Sequence, residues 1–181
     1  EFFQNLFNEC SNLMQTIMHL SQPVIAEVCG IAAAAGCQLV ASCDLAVASE
    51  NASFMTPGVN IGLFCSTPMV AVSRNISRKK IMEMLLTGES MSAKDAVDYG
   101  LINHCVPVAQ LQDKTMSLAN LIASKPISTV KIGKEAFYKQ VEMPISEAYN
   151  YTSEVMAKNM LELDAHEGIS AFLEKRLPEW N

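Results

Sequence analysis

The chain has 181 residues, half of them hydrophobic and 18% charged, with a net charge of −6. That length allows one domain with a substantial core. The acidic balance and scattered Lys and Arg exclude the basic footprint of a nucleic-acid binder. No apolar run approaches the roughly 18 residues a membrane span needs, so no membrane partner is expected. Glu1-Phe2-Phe3-Gln4 has no basic region ahead of an apolar run and is not read as a signal peptide.

Residues 1–20 place Phe2, Phe3, Leu6, Phe7, Cys10, Leu13, Met14 and Ile17 at helical spacing, which predicts an amphipathic helix ending near Ser21. Pro23 stops it, and a buried strand over Val24–Cys29 follows, broken at Gly30. A helix is expected from about Ala35 to Ser42 and a second strand over Leu45–Ala48; this alternation with short links predicts parallel α/β packing. Ser53–Phe64 holds strand-like pieces interrupted by Pro57, Gly58 and Gly62, hence a shaped loop. Thr67-Pro68 offers a capping hydroxyl and a Pro at the first helical position for a helix over Met69–Asn75. Helices over Arg78–Leu86 and Ala93–Tyr99 follow, the second capped by Ser92 and stopped by Gly100, then a strand over Leu101–Val106. Leu111–Ser124, Ser128–Gln140, Ser146–Leu161 and Ala165–Arg176 all read as helices, split by Pro126 and Pro144. The chain thus divides into an α/β core, 1–107, and a helical region of the same domain, 108–181. Such an appendage needs something to pack on, such as another subunit. A chain that begins with a helix feeding a central strand also suggests that earlier strands of the fold are missing.

Chemistry points to Pro23–Gly62, and within it to Ala32-Ala33-Ala34-Ala35-Gly36. Small residues there allow close backbone approach, and a helix start offers N–H groups with no intrahelical partner. Such a turn suits an oxyanion or other anion. From Val28 to Ser73 the only acids are Asp44 and Glu50, and no Lys, Arg or His occurs. Glu27, inside an apolar strand, is either a base with a burial-raised pKa or simply exposed at the strand end, and exposure is the expectation. Cys37 and Cys65 have no nearby His in sequence to activate them as nucleophiles. The six cysteines form no CxxC pair and the three histidines show no ligand spacing, so no metal is expected. Reduced, core-packed thiols in an intracellular protein are the reading.

The run PVIAEVCGIAAAAGCQLVASCDLAVAS resembles the enoyl-CoA hydratase/isomerase (crotonase) superfamily, and the likeness continues through FMTPGVNIGL, EMLLTGESMSAKDAVDYGLIN and EGISAFLEKR. The GLFCSTP run, Gly62–Pro68, is similar to the enoyl-CoA hydratase domain-containing protein 3 group and its bacterial relatives. The resemblance implies a crotonase (ClpP-like) ββα-superhelix spiral core with a C-terminal helical trimerisation region, its first βαβ units absent here. It also implies an acyl-CoA thioester whose carbonyl sits between two backbone N–H groups, one of them on Ala35. Coenzyme A would come as part of the substrate, with no permanently bound cofactor. Phe172 and Lys175 match residues that contact CoA, often across subunits, and Met55, Phe64 and Met69 would line the acyl pocket. A homotrimer or dimer of trimers follows, in the cytoplasm if the source is bacterial and otherwise in the mitochondrial matrix.

The acids depart from the pattern. A hydratase works with two glutamates, and their positions carry Gln38 and Gly58. The carboxylate position of some isomerases falls on Ser66, and Asp44 matches a structural aspartate. Each acid–base group contributes about 10²–10⁴-fold and an oxyanion donor about 3–4 kcal/mol. Two functions therefore stand: hydration or isomerisation of 2-enoyl-CoA in fatty-acid metabolism, with an acid supplied from elsewhere, or non-catalytic acyl-CoA binding. A gain of hydratase activity on replacing Gln38 and Gly58 together by Glu would show that the scaffold is otherwise intact.

Overall fold

A computed structural model describes residues 1–180. Eighteen residues without Gly or Pro form α1 (Phe2–His19), which ends before Pro23. Residues IAEV then make β1 (Ile25–Val28), with β-branched Ile25 and Val28 at its ends. Asp44 joins the two ends of the next unit: its carboxylate accepts the Val24 N–H at 2.7 Å, and its own N–H donates to the Val24 carbonyl. This clamp sets β1 beside β3 (Leu45–Ser49) in parallel, in the register Ile25 to Leu45, and agrees with a structural Asp44. β6 (His104–Val106) extends the same sheet in the order β1-β3-β6, all parallel.

A second sheet holds β2 (Ile31–Ala33), β4 (Ser53–Met55) and β5 (Ser90–Ser92); β2 and β4 run parallel, β4 and β5 antiparallel. Sequence pattern does not mark β2 or β5: β2 (IAA) runs into the alanine stretch, and β5 (SMS) has a single apolar residue between serines. Pairing with β4, whose Phe54 is fully buried, makes them strands. α2 (Ala35–Ser42) leaves β2 with one residue between and packs on α1 and on α3 (Pro68–Val72). α3 starts without its expected cap. Thr67 already has helical backbone (φ −76, ψ −43) and its side chain makes no cap bond, while the Cys65 carbonyl accepts the Met69 N–H. α4 (Arg78–Thr87) and α5 (Ala93–Asp98) carry working Ser77 and Ser92 caps. Gly88 (φ 68) and Gly100 (φ 85) take the left-handed conformation that ends them.

The chain forms two compact units. The first comprises Glu1–Leu20 and Val24–Leu118. Its core gathers Cys37, Val47, Phe54, Val72, Met84 and Met91, all essentially without solvent contact. Burying each large apolar side chain contributes about 1.5–3 kcal/mol. α1 departs from the expected burial: only Met14 is buried, and Phe2, Phe3, Leu6, Phe7 and Leu13 remain exposed, because α2 covers a narrower stripe than the apolar face spans.

The second unit comprises Ser21–Pro23 and the residues from Ala119 onward. It contains the end of α6 (Leu111–Ala123), then α7 (Ile127–Gln140), α8 (Ile145–Asn159) and α9 (Leu163–Glu174). α7 packs on both α8 and α9. Buried polar side chains are engaged here. The Ser128 hydroxyl donates to Asp164 at 2.7 Å, and the Lys134 ammonium donates to the Gln22 carbonyl at 3.0 Å. The indole of Trp180 donates to the Ser124 carbonyl and lies against Gly168.

Candidate functional site

The small-residue run forms a strained turn. Pairing of Ala33 with Met55 brings the end of β2 beside the end of β4, and the Ala34 N–H donates to the Met55 carbonyl at 2.9 Å. The chain must then turn sharply into α2, and Ala34 takes φ 48, ψ −112. Glycine enters that region freely, whereas an L residue is strained there by about 1–3 kcal/mol. The first helical bond to follow runs from the Gln38 N–H to the Ala34 carbonyl, so the N–H groups of Ala35, Gly36 and Cys37 precede it. Ala35 is exposed as a residue, while Cys37 and Gln38 are buried. A main-chain N–H at a helix start, ahead of the first intrahelical bond, is suited to developing negative charge on a carbonyl oxygen.

Gln38 points inward. It is 4% exposed, and its side-chain carbonyl accepts from the Cys10 thiol of α1 at 3.9 Å. A neutral amide there can hold a hydrogen bond but exchanges no proton near neutral pH. Gly58 lies in the 3-10 turn Pro57–Ile61, directly after β4. Met55 is half-buried on β4 and Met69 packs on the core from α3, whereas Phe64 is exposed. Glu27 is also exposed on β1, as the simpler reading expected. Burial pushes the Cys37 thiol up to about 12, reinforced by the nearby Cys65 and opposed by a hydrogen bond to the Met55 backbone. A thiol so raised stays protonated and is no nucleophile. All six cysteines are free, and no group of His, Cys, Asp and Glu among the described residues could hold a metal ion.

In the second unit, α9 ends at Lys175, which takes a left-handed conformation (φ 57). Phe172, on the last turn, is 82% exposed. The neighbouring Arg176 is committed: its guanidinium pairs with Glu167, with an Nη2–Oε2 distance of 2.9 Å, and also with Glu174. That pairing holds the Glu167 carboxyl down to about 2. Lys175 and Phe172 therefore present a cation and an aromatic face, while Arg176 serves the fold.

Two features escaped sequence reasoning. Thr56 is fully buried, and its hydroxyl has no hydrogen-bond partner among the described residues. Cys10 partners Gln38 from 28 residues away. The strain at Ala34 had a signal, a non-glycine run at a strand-to-helix turn, but the amount is set by the β2–β4 pairing.

The fold and the turn define a crotonase-type α/β protein. Residues 2–181 match the enoyl-CoA hydratase/isomerase family, and the chain belongs to it. It is 51% identical over 181 residues to human mitochondrial enoyl-CoA hydratase domain-containing protein 3, a match that covers all of this chain and 60% of that protein. The crystal structure of that human protein superposes with a TM-score of 0.97, covering 99% of this chain and 71% of the other. An enoyl-CoA hydratase of Mycobacterium smegmatis gives a TM-score of 0.98 at 51% identity, covering 99% of this chain and 70% of its own. The chain thus spans about 60% of the length of the curated relatives it matches.

Proposed function

We propose that this chain carries the acyl-thioester half of a CoA-dependent site, in which the Ala35 N–H polarises the thioester carbonyl. The observation that carries this reading is the Ala34 turn: a strained residue is tolerated where the chain enters α2, and the Ala35 N–H precedes the first helical hydrogen bond. Family membership supports an acyl-CoA thioester as the ligand. Met55, Phe64 and Met69 would receive the acyl chain, and Phe172 and Lys175 of a neighbouring copy of the chain the adenine and phosphate end of CoA. The many exposed apolar side chains of α7–α9 support packing of this region in a homotrimer or dimer of trimers. The mitochondrial names of the relatives favour the mitochondrial matrix over a bacterial cytoplasm.

The reaction in the leading reading is hydration or isomerisation of a 2-enoyl-CoA in fatty-acid metabolism. A second reading, binding without turnover, is favoured by Gln38 and Gly58 at the two glutamate positions. Assaying the full-length protein with crotonyl-CoA while titrating a saturated acyl-CoA separates them. Turnover supports the enzyme; micromolar binding with no turnover supports the binder; no binding refutes both.

A further inference from the structure

Gly58 is defined by what surrounds it as much as by the side chain it lacks. After Pro57 the chain makes a 3-10 turn and reverses at Gly62 (φ 78), and the Leu63 N–H donates back to the Gly58 carbonyl at 2.9 Å. This reversal lays the Leu63 carbonyl and the Cys65 thiol on the Cα of Gly58. A Cβ at Gly58 would sit 2.9 Å from the Leu63 oxygen, 2.9 Å from Cys65 Sγ and 3.4 Å from the Leu63 carbonyl carbon. The oxygen is backbone, so it cannot rotate away as a side-chain end could. The loop is also held from both sides. Asn60 lies so close to Gly88 that a Cβ there would meet its Nδ2 at 2.7 Å. Cys65, 8% exposed, sits in the core, and its carbonyl accepts the Met69 N–H that opens α3.

We infer that the Leu63 carbonyl and Cys65 are specificity determinants of the thioester site: they fill the space through which any side chain at position 58 would leave the backbone. The path of this loop, and not one substitution, separates the site from a two-glutamate hydratase. The reaction run here therefore uses no proton-transferring group from position 58, even when one is supplied. The inference rests on reading Ala35 as the oxyanion donor. On this inference, glutamates at 38 and 58 together do not restore hydration.

The test uses the full-length protein and the variants Gly58→Ala, Cys65→Ala, their double, Gln38→Glu, and Gln38→Glu with Gly58→Glu. Gly133→Ala is the control, since a Cβ there meets nothing within 4 Å. Melting temperature, butyryl-CoA binding and crotonyl-CoA hydration are measured. Gly133→Ala should raise Tm and Gly58→Ala should lower it by about 4 °C or more. Cys65→Ala should recover part of that loss in the double variant, a non-additivity expected only of touching groups. Hydration by the variant with two glutamates should stay within about twofold of Gln38→Glu alone. An unchanged Tm in Gly58→Ala overturns the packing. A gain of about 10²-fold or more from adding Glu at 58 overturns the specificity role. A parent protein that fails to bind butyryl-CoA overturns the thioester reading and that role with it, while the melting comparison still decides the packing.

Discussion

Ala34 allows the strain at the oxyanion turn to be weighed directly. Replacing Ala34 by Gly releases a cost of about 1–3 kcal/mol for an L residue at φ 48, ψ −112. The same change adds about 0.5–1 kcal/mol of unfolded-chain entropy, and it removes a half-buried methyl worth up to about 0.8 kcal/mol. Ala33, one residue earlier, shares the second and third effects but not the first. It is half-buried like Ala34 and lies in β2 with no positive φ. Ala33→Gly should therefore lose about 1 kcal/mol, and Ala34→Gly should be more stable than Ala33→Gly by about 1–3 kcal/mol. At about 2–4 °C per kcal/mol this separates their melting temperatures by several degrees. Urea unfolding of both variants beside the parent measures the difference. Equal losses at 33 and 34 would refute the claim that the turn is strained.

Three further outcomes are expected. Thr56→Val keeps the shape and removes a fully buried hydroxyl without a partner among the described residues, so stability should rise by about 1 kcal/mol, read in the same denaturation series. Burial, aided by Lys114, holds His104 below its usual pKa. Its contribution is therefore complete above about pH 6.5 and is lost as pH falls through the lower folded value; His104→Gln should flatten the Tm profile over that window. Asp44→Asn keeps size and an acceptor but loses the charge that strengthens the bond to the Val24 N–H, and should cost about 1–1.5 kcal/mol by chemical denaturation.

Much of the fold was legible because hydrophobic periodicity and punctuation are local. The Ser77-Arg78 and Ser92-Ala93 helix starts, the Gly88 and Gly100 stops and the four long helices after Leu111 all stand within two residues of their expected bounds. Thr67 shows where local reading fails. Its hydroxyl was expected to cap α3, yet the Cys65 carbonyl, already placed by the loop, opens the helix first. β2 and β5 failed for a related reason, since IAA beside an alanine run and SMS with its one apolar residue carry no strand signal until β4 pairs with them.

At the candidate site the same division holds. Residue identity alone placed a small-residue turn before α2, Gln and Gly at positions 38 and 58, and no Lys, Arg or His from Val28 to Ser73. Those facts are compositional, and folding cannot alter them. Only the tertiary structure decided that Ala34 is strained, that Gln38 faces Cys10, and that Leu63 and Cys65 close over Gly58. Each of these depends on how a distant strand or a returning loop packs, and side-chain volume and backbone geometry exert their effect only once those segments meet.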